Sequence, residues 1–162
     1  MAEVDYFLKI DGVHGESKDA GGHKEEMQVD SWGWNIKSPR DASTKEATGR
    51  AHAGDLQFTM KTNTATPVML TALAKNQEFA TAELFCRKAG SQGKPLEFFT
   101  IKLSGARMST YQIGGGQGSI LPVDQFSLNF TKVEIVFIPQ NEKGMGGSKT
   151  VFTWSLTERG PT

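Results

Sequence analysis

The sequence predicts a mainly β domain, an antiparallel β-barrel with one short flanking α-helix. Most of its 162 residues alternate apolar and polar side chains with a period of two, as strands do. Glycine-rich segments separate the apolar runs, and one segment, Thr66–Lys75, has helical spacing. Many short strands, one helix and glycine-rich turns are typical of an antiparallel barrel or sandwich, here as a single domain over residues 1–162.

The first two strands are predicted within residues 4–34. In the first strand one face carries Val4, Tyr6, Leu8 and Ile10. In the second strand one face carries Gln28, Asp30, Trp32 and Trp34, and the other carries Met27, Val29, Ser31 and Gly33. Two tryptophans on one face need a packing surface, because each has a large ring and an N–H donor that requires a partner. We therefore expect Trp32 and Trp34 to anchor the core, and Ser31 and Gly33 to face outward.

A long polar segment, residues 36–55, follows the tryptophans and has no apolar stripe. A structureless loop of about 20 residues is unusual in a compact domain. The segment is therefore either a disordered, solvated loop or an extended arm that becomes ordered on a neighbouring subunit. The candidate contact residues along this arm are Ile36, Pro39, Arg40, Arg50 and Asp55.

The helix is predicted from its start signals and its spacing. Thr66 can be the N-cap, and Pro67 fits the first helical position, where a missing N–H costs nothing. Met69, Ala72 and Leu73 follow the spacing of one helix face. Because the helix is short, packing against the sheet must hold it in place.

The remaining strands are predicted from alternation between glycine-rich turns. They are Leu56–Met60, Ala82–Lys88, Leu96–Leu103, Arg107–Ile113, Asp124–Ile138 and Val151–Leu156. Turns are predicted at 89–94, 114–118 and 140–149. Within Asp124–Ile138 the apolar positions change from even to odd numbers near Thr131, which predicts a bulge or bend.

Composition excludes several classes of function. The 18 basic and 18 acidic residues balance, so no strong field attracts nucleic acid or acidic lipid. The single cysteine, Cys86, excludes an internal disulfide and is expected to be a small core residue. We expect no membrane insertion, since no segment approaches about 20 apolar residues. The N-terminus has no secretory signal, so we expect a protein made in the cytoplasm that leaves, if at all, without a classical signal peptide.

No catalytic, metal or cofactor site is predicted, so we expect that the protein is not an enzyme. His14, His23 and His52 lack the close spacing of a zinc site and are expected to be solvated loop residues. The glycines at 114–118 are not followed by the Lys-Ser/Thr of a phosphate loop. Glu25 and Glu26 are adjacent on a strand and would point to opposite faces.

The order of several motifs resembles the Hcp family, the haemolysin-coregulated proteins of the bacterial type VI secretion system. The motifs, in order, are YFLKIDGVHGESKD, HKEE, VDSWGW, TPVML, AELFCRKAG, MSTYQIGGG, FSLNFTKVEIVFIPQ and FTWSL. This resemblance covers nearly the whole chain. One segment departs from it, because residues 117–122 are more apolar than the charged loop expected in the family.

The resemblance implies a secreted tube protein with a phage tail-tube-like fold. It implies homohexameric rings that stack into a hollow tube, a contractile sheath that expels the tube, a VgrG-like spike at its tip, and small effector proteins in its lumen. The tube would end outside the cell or inside a target cell. From the residues themselves we expect no nucleic acid, membrane or cofactor as partner.

Two site hypotheses follow, each with an alternative. Ser31 and Gly33 would face the lumen and leave room for an effector, or Gly33 would only permit close strand packing or a bulge. The arm would be ordered by an adjacent subunit, or it would remain a solvated loop. For the whole chain the alternative function is a monomeric β-barrel that binds a small apolar ligand among its ten phenylalanines.

Overall fold

The computed structural model describes residues 4–19, 22–89, 95–139 and 147–156. Within these ranges the chain forms β1 (Val4–Ile10), β2 (Met27–Val29), β3 (Ser31–Gly33), β4 (Ile36–Lys37), β5 (His52–Ala53), β6 (Leu56–Lys61), α1 (Ala65–Ala74), β7 (Glu78–Ala89), β8 (Pro95–Gly114), β9 (Val123–Asn129), β10 (Lys132–Phe137) and β11 (Thr150–Ser155). The predicted turns at 89–94 and 140–149 fall mostly outside the described residues.

The large sheet is antiparallel and follows the order β2-β1-β7-β8-β9-β6-β3, and β10 pairs with both β8 and β11. The two end strands, β2 and β3, are consecutive in the chain and are separated only by Asp30. The chain itself thus joins the two ends of the sheet, although strand pairing within the described ranges leaves it open. The predicted class, mainly antiparallel β with one short helix, is confirmed.

The prediction of two separate strands at 96–103 and 107–113 is wrong, because β8 runs unbroken through both. Its first part pairs with β7 and β10, and its last part pairs with β9. Gly105 lies between the two parts with φ +59°, and a Cβ there would come within 2.5 Å of the Thr131 hydroxyl oxygen. Glycine therefore allows one strand to serve both pairings.

The predicted change of phase near Thr131 is present, and it divides the segment into two strands. Phe126 and Leu128 of β9 are buried, as is Val133 of β10. β9 pairs with β6 and with the end of β8, whereas β10 pairs with β11 and the beginning of β8. The inward positions change from even to odd because the two strands belong to different parts of the sheet.

The interior of the fold is filled by its own side chains. Phe58 and Phe126 stack with their ring centroids 5.1 Å apart, and each is only 2% exposed. Met69 and Ala72 bring the inner face of α1 into the same core, and Cys86 is buried as predicted. Phenylalanines that fill the core do not support the alternative of a barrel that binds a small apolar ligand.

The helix begins earlier than predicted. Its N-cap is Thr64, not Thr66, and Thr66 lies in the first turn. The Asn63 side chain accepts the Ala65 N–H at 2.9 Å. The Thr66 hydroxyl accepts the Asn63 N–H at 3.2 Å and donates to the fully buried Asp124 carboxylate of β9 at 2.5 Å.

Candidate functional site: a polar sheet face, an exposed arm and a clasped loop

One face of four neighbouring strands carries only small or amide side chains at its centre. The strands are β3, β6, β9 and residues 107–114 of β8. Cross-strand register aligns two rows, Ser31–Thr59–Gln125–Gln112 and Gly33–Gln57–Ser127–Thr110. All eight residues are uncharged, and they line a groove of about 580 Å³. We call these two rows the polar face.

Alternation along the strands explains why this face is polar. In β6, Leu56, Phe58 and Met60 are buried, while Gln57 is exposed and Thr59 half-buried. Successive residues of a strand point to opposite faces. Because Leu56, Phe58 and Met60 point into the core, Gln57 and Thr59 lie on the polar face.

The polar face has two uncovered edges. Among the described residues, no strand pairs with the outer edge of β3, nor with residues 108–114 on the side away from β9. An uncovered edge presents unpaired N–H and C=O groups that can pair with a strand of another chain. The two edges belong to opposite sides of the same four-stranded unit.

Ser31 and Gly33 both lie on the polar face and are exposed. A Cβ built on Gly33 would meet no atom within 4 Å. Close strand packing therefore gives no reason for a glycine at this position. The residue leaves open space in front of the sheet.

The two tryptophans lie on the core side of β3 and the residue after it, and both are half-buried. The Trp32 ring stacks on Phe99 at 5.6 Å and meets Tyr6 edge-on at 6.3 Å. The Trp34 Nε1 donates to the Gly54 carbonyl at 2.8 Å. Trp34 therefore also ties the beginning of the arm to its end.

The predicted assignment of Met27, Val29, Ser31 and Gly33 to one face is wrong. Met27 and Val29 are buried, like the tryptophan side of the strand. The phase changes at Asp30, whose N–H donates to the Thr59 carbonyl at 2.8 Å. At that residue the chain stops pairing with β1 and begins to pair with β6, so its inward positions shift by one.

The arm is a β-hairpin rather than a segment without regular structure. β4 pairs with β5, and an isolated bridge joins Arg40 to Ala47. Every residue from 35 to 52 is exposed, including the predicted contact residues Ile36, Pro39, Arg40 and Arg50. Asp55, at the base, is half-buried and accepts the Ser109 hydroxyl at 2.6 Å.

The turn of the arm is held by one carboxylate. Asp41 Oδ1 accepts the Ser43 hydroxyl at 2.6 Å and the N–H groups of Ser43 and Thr44 at 2.8 and 2.9 Å. These hydrogen bonds, the Ser43 hydroxyl first, lower the pKa of Asp41 from 3.8 to about 2. The arm thus has a defined turn although none of it is buried in this chain.

His23 lies in the loop between β1 and β2. The prediction that it is a solvated residue is wrong, because it is only 3% exposed. Its Nδ1 lies 3.0 Å from both Glu26 carboxylate oxygens, and its Nε2 contacts Glu97. Its ring stacks on Phe7 at 4.5 Å, nearly parallel. His14 and His52 are exposed, as expected.

A second set of charges fixes the same loop. Both terminal nitrogens of Arg87 donate to Asp19, at 2.7 and 2.8 Å, and one also donates to Asp5 at 3.2 Å. The hydrogen bonds that Arg87 donates to Asp19 are the largest cause that raises the pKa of Arg87. We call residues 11–19 and 22–26 the clasp loop.

The signal for this burial was present in the strand pattern. Phe7 and Phe85 are register partners on the outer face of β1 and β7. Two aromatic rings on an outward face need a cover, and His23 supplies it. Its hydrogen-bond partner Glu97 is 74 residues away in the chain, which spacing alone could not reveal.

The described part of the chain contains no group of three or more His, Cys, Asp or Glu side chains that could hold a metal ion. Across the same ranges, no helix is long and apolar enough to cross a membrane.

Comparisons with known proteins agree along nearly the whole chain. The profile of the family described as "Type VI secretion system effector, Hcp" matches residues 7–137. The chain is 30% identical to protein hcp1 of Pseudomonas aeruginosa over 158 residues, 96% of each chain.

Solved structures show the same fold. The structure of a type six secretion system protein has a TM-score of 0.89 at 25% identity and covers 99% of this chain and all of that one. Hcp1 from Salmonella typhimurium has a TM-score of 0.80 at 28% identity and covers both chains completely.

Proposed function

Because the chain belongs to the Hcp family of type VI secretion system proteins, we propose that it is a structural subunit of the secretion tube. Six copies form a ring, rings stack into a hollow tube, and small effector proteins travel in the lumen. A contractile sheath and a VgrG-like spike are its other partners, and it leaves the cytoplasm without a classical signal peptide for the medium or a target cell. The polar face with its two uncovered edges is the observation that carries this proposal.

Ring closure follows from those two edges. The edge of β3 in one subunit pairs with residues 108–114 of the next, and each repeat adds four strands to a common sheet. This contact joins two different surfaces, so it closes only after a full turn. Six repeats give about 24 strands, and with about 4.8 Å between strands and a tilt of about 40° the opposite backbones are about 48 Å apart.

The polar face then lines the lumen. A folded domain of about 100 residues has a radius of gyration of about 13 Å and fits such a channel. Uncharged side chains neither trap a charged effector nor offer it an apolar patch. Ser31 and Gly33 lie on this wall, where the absence of a large side chain leaves room for an effector.

The arm contacts a neighbouring subunit. An isolated two-stranded hairpin is only marginally stable in water, and this one is exposed from 35 to 52. Docking on another copy supplies the apolar contacts it lacks. Its amides should resist hydrogen exchange in assemblies and exchange faster in the monomer; equal rates would contradict this contact and favour a solvated loop.

The test of ring formation is size-exclusion chromatography with light scattering and negative-stain microscopy. We expect particles of about 106 kDa, six times the 17.7 kDa chain, with an open centre. Compact monomers that take up a hydrophobic dye would overturn the proposal and support the ligand-binding barrel.

The test of the lumen is Gly33→Gln. The open space around Gly33 accepts the longer side chain without disturbing the fold, so rings should persist while co-purified effector falls. Lys24→Gln, an exposed change in the clasp loop, is the control. Equal effector retention by both variants would remove Gly33 from the lumen wall.

A further inference from the structure

The outward row of β6 carries a charge at each end. Gln57 and Thr59 lie on the polar face, and alternation places Asp55, just before the strand, and Lys61, at its end, on the same side. Six residues separate the two charges by about 20 Å. The uncharged centre of the polar face is therefore bordered by a carboxylate next to the arm and by an ammonium group at the opposite end.

A small groove of about 220 Å³ lies where the arm joins the sheet. Its lining consists of Gly33, Trp34, Asn35, Asp55 and Gln57, and we call it the foot pocket. Gly33 and Gln57 also line the larger groove of the polar face, so the two grooves adjoin on the same surface. All five residues belong to one chain, and the foot pocket is therefore complete in a single subunit.

The Asp55 carboxylate has one hydrogen-bond partner and no cation within the described ranges. Its Oδ2 accepts the Ser109 hydroxyl at 2.6 Å, and no basic side chain of these ranges forms an ion pair with it. Asp5, which is half-buried as well, pairs with Arg87 at 3.2 Å. Because partial burial removes water from a carboxylate, a cation beside Asp55 would be favourable.

Hydrogen bonds fix the arm side of the foot pocket. The Trp34 Nε1 donates to the Gly54 carbonyl at 2.8 Å, and the Gly54 N–H donates to the Asn35 carbonyl at 2.8 Å. A Cβ on Gly54 would lie 2.1 Å from Asn35 Oδ1, so the Asn35 amide lies against the backbone of residue 54. The indole and the amide thus have defined positions in the free chain.

The sheet side is fixed by a chain of hydroxyl groups. The Ser127 hydroxyl lies 2.7 Å from that of Ser109, and Ser127 is only 4% exposed. Ser109 lies where the register of β8 on β9 shifts, between Met108 and Thr110, and such irregularities aim a side chain in a new direction. Since both sides are held before a ligand arrives, binding costs little ordering entropy.

The lining matches the chemistry of a guanidinium group. Asp55 offers a carboxylate, Asn35 and Gln57 offer amide oxygens, and Trp34 offers an indole ring. A guanidinium presents several N–H donors in one plane, stacks on aromatic rings and is weakly hydrated, whereas the lysine ammonium is a compact and strongly hydrated charge. A Cβ on Gly33 would meet no atom within 4 Å, so a side chain can enter from the polar face.

We propose that the foot pocket binds an arginine side chain on the surface of the effector protein. This inference rests on the proposed tube, because an effector meets the polar face in the lumen. Six subunits place six foot pockets around the lumen at the arm end of the ring, while the Lys61 side chains lie at the other end. An effector is then held with its arginine-bearing surface toward the arm end.

The direct test is an NMR titration of the assembled protein with N-acetyl-arginine amide as the probe. We expect saturable shifts of the Trp34 indole N–H and the Gly33 amide signals, and weaker binding as NaCl rises from about 0.05 to 0.5 M. Asp55→Asn keeps an oxygen for the Ser109 hydroxyl but removes the charge, and it should weaken binding at least about tenfold. N-acetyl-lysine amide should bind more weakly than the arginine probe.

Two control variants distinguish the charge of Asp55 from its position. Ser109→Ala removes the hydrogen bond to Asp55 and keeps the charge, so it should reduce arginine binding far less than Asp55→Asn. Lys61→Gln removes a charge of the same strand at a distance of about 20 Å and should leave arginine binding unchanged.

The other outcomes contradict one proposal or the other. The absence of saturable shifts, or equal binding by the parent and Asp55→Asn, would overturn the foot pocket as an arginine site while the tube proposal stands. Equal affinity for the arginine and lysine probes would overturn the assignment to arginine. A parent chain that forms no rings would contradict the proposed function, and the titration would still test the pocket because it lies within one chain.

The effector itself gives a second measurement. Asp55→Asn rings should retain less effector per ring than the parent, and Lys61→Gln rings should retain the same amount. Glutamine in place of the contacting arginine of the effector should lower retention by parent rings but cause no further loss with Asp55→Asn rings, since both changes remove one contact. Additive losses would place that arginine elsewhere and overturn the contact.

Discussion

The clasp loop before β2 and the arm after β3 are both polar segments rich in charge, but only one of them is buried by its own chain. In the clasp loop His23, Glu26 and Ser17 are each less than 10% exposed. In the arm every residue from 35 to 52 is exposed. The difference lies in the surface available beneath each segment.

Under the clasp loop, Phe7 and Phe85 form an aromatic floor, and Asp5, Arg87 and Glu97 surround it with charges. Burying a charge is costly unless it is paired and hydrogen-bonded. This loop meets both conditions within the subunit. Within the described residues the arm has no comparable floor, and we propose that a second copy covers it.

The largest expected effect on stability comes from removing the guanidinium of Arg87, which pairs with Asp19 of the clasp loop. Arg87→Met should lower the free energy of unfolding by about 2–4 kcal/mol, because Asp19 and Asp5 lose their shared guanidinium. Arg107→Met is the matched control, since its ion pair with Glu78 is about half exposed, and should cost less than about 1 kcal/mol. Urea unfolding at one protein concentration measures both. Equal losses would mean that the clasp charges act as surface charges.

A glycine in each segment gives the next test. A Cβ on Gly15 would lie 2.6 Å from the Glu26 carbonyl oxygen and 2.8 Å from the Met27 Cα, both backbone atoms. Gly15→Ala should therefore destabilise by about 1–3 kcal/mol, the usual cost of overpacking. A Cβ on Gly49 in the arm would meet only Pro39 Cγ, at 3.4 Å. Gly49→Ala should leave the urea midpoint unchanged. A larger loss of stability from Gly49→Ala than from Gly15→Ala would show that the arm, and not the clasp loop, is the tightly packed segment.

Substitutions of the two histidines in the clasp loop distinguish the effect of burial from the effect of residue type. His23→Ala removes the imidazole that bonds to both Glu26 and Glu97. It should lower the free energy of unfolding by about 2 kcal/mol. His14→Ala should cost nothing measurable, because that side chain is 78% exposed. Hydrogen exchange at 11–19 and 22–26 should accelerate only in the first variant. Faster exchange in both variants would show that each histidine stabilises the loop, whether it is buried or exposed.

Sequence patterns predicted most strands of the large sheet, the approximate position of the helix and many of the side chains that fill the core. Leu84, Cys86 and Phe126 are buried where alternation placed them. Local periodicity predicts these positions correctly because alternate residues of a regular strand point to the same face of the sheet. Motif order also indicated the Hcp family, which the comparisons establish.

The predictions failed where a partner lies far away in the chain. His23 is buried by Glu97 and the Phe7–Phe85 pair, and no local pattern joins these residues. The phase change at Asp30 follows from an exchange of neighbouring strands, from β1 to β6. Thr66 lies in the first turn of the helix and not at its N-cap, and its hydroxyl donates to Asp124, 58 residues later.

The smallest effect on the fold is expected at the arm turn. The folded pKa of Asp41, about 2, is below its ordinary 3.8, so the hydrogen bonds of its carboxylate contribute fully above about pH 4 and are lost as the pH falls through about 2. A carboxyl NMR titration should give the low midpoint, and the Ser43 and Thr44 amides should exchange faster as the carboxyl is protonated. Asp41→Ala should leave the unfolding of the body unchanged, because the arm lies outside the core. A midpoint near 3.8 would show that the Asp41 carboxylate does not hold the turn in the free chain.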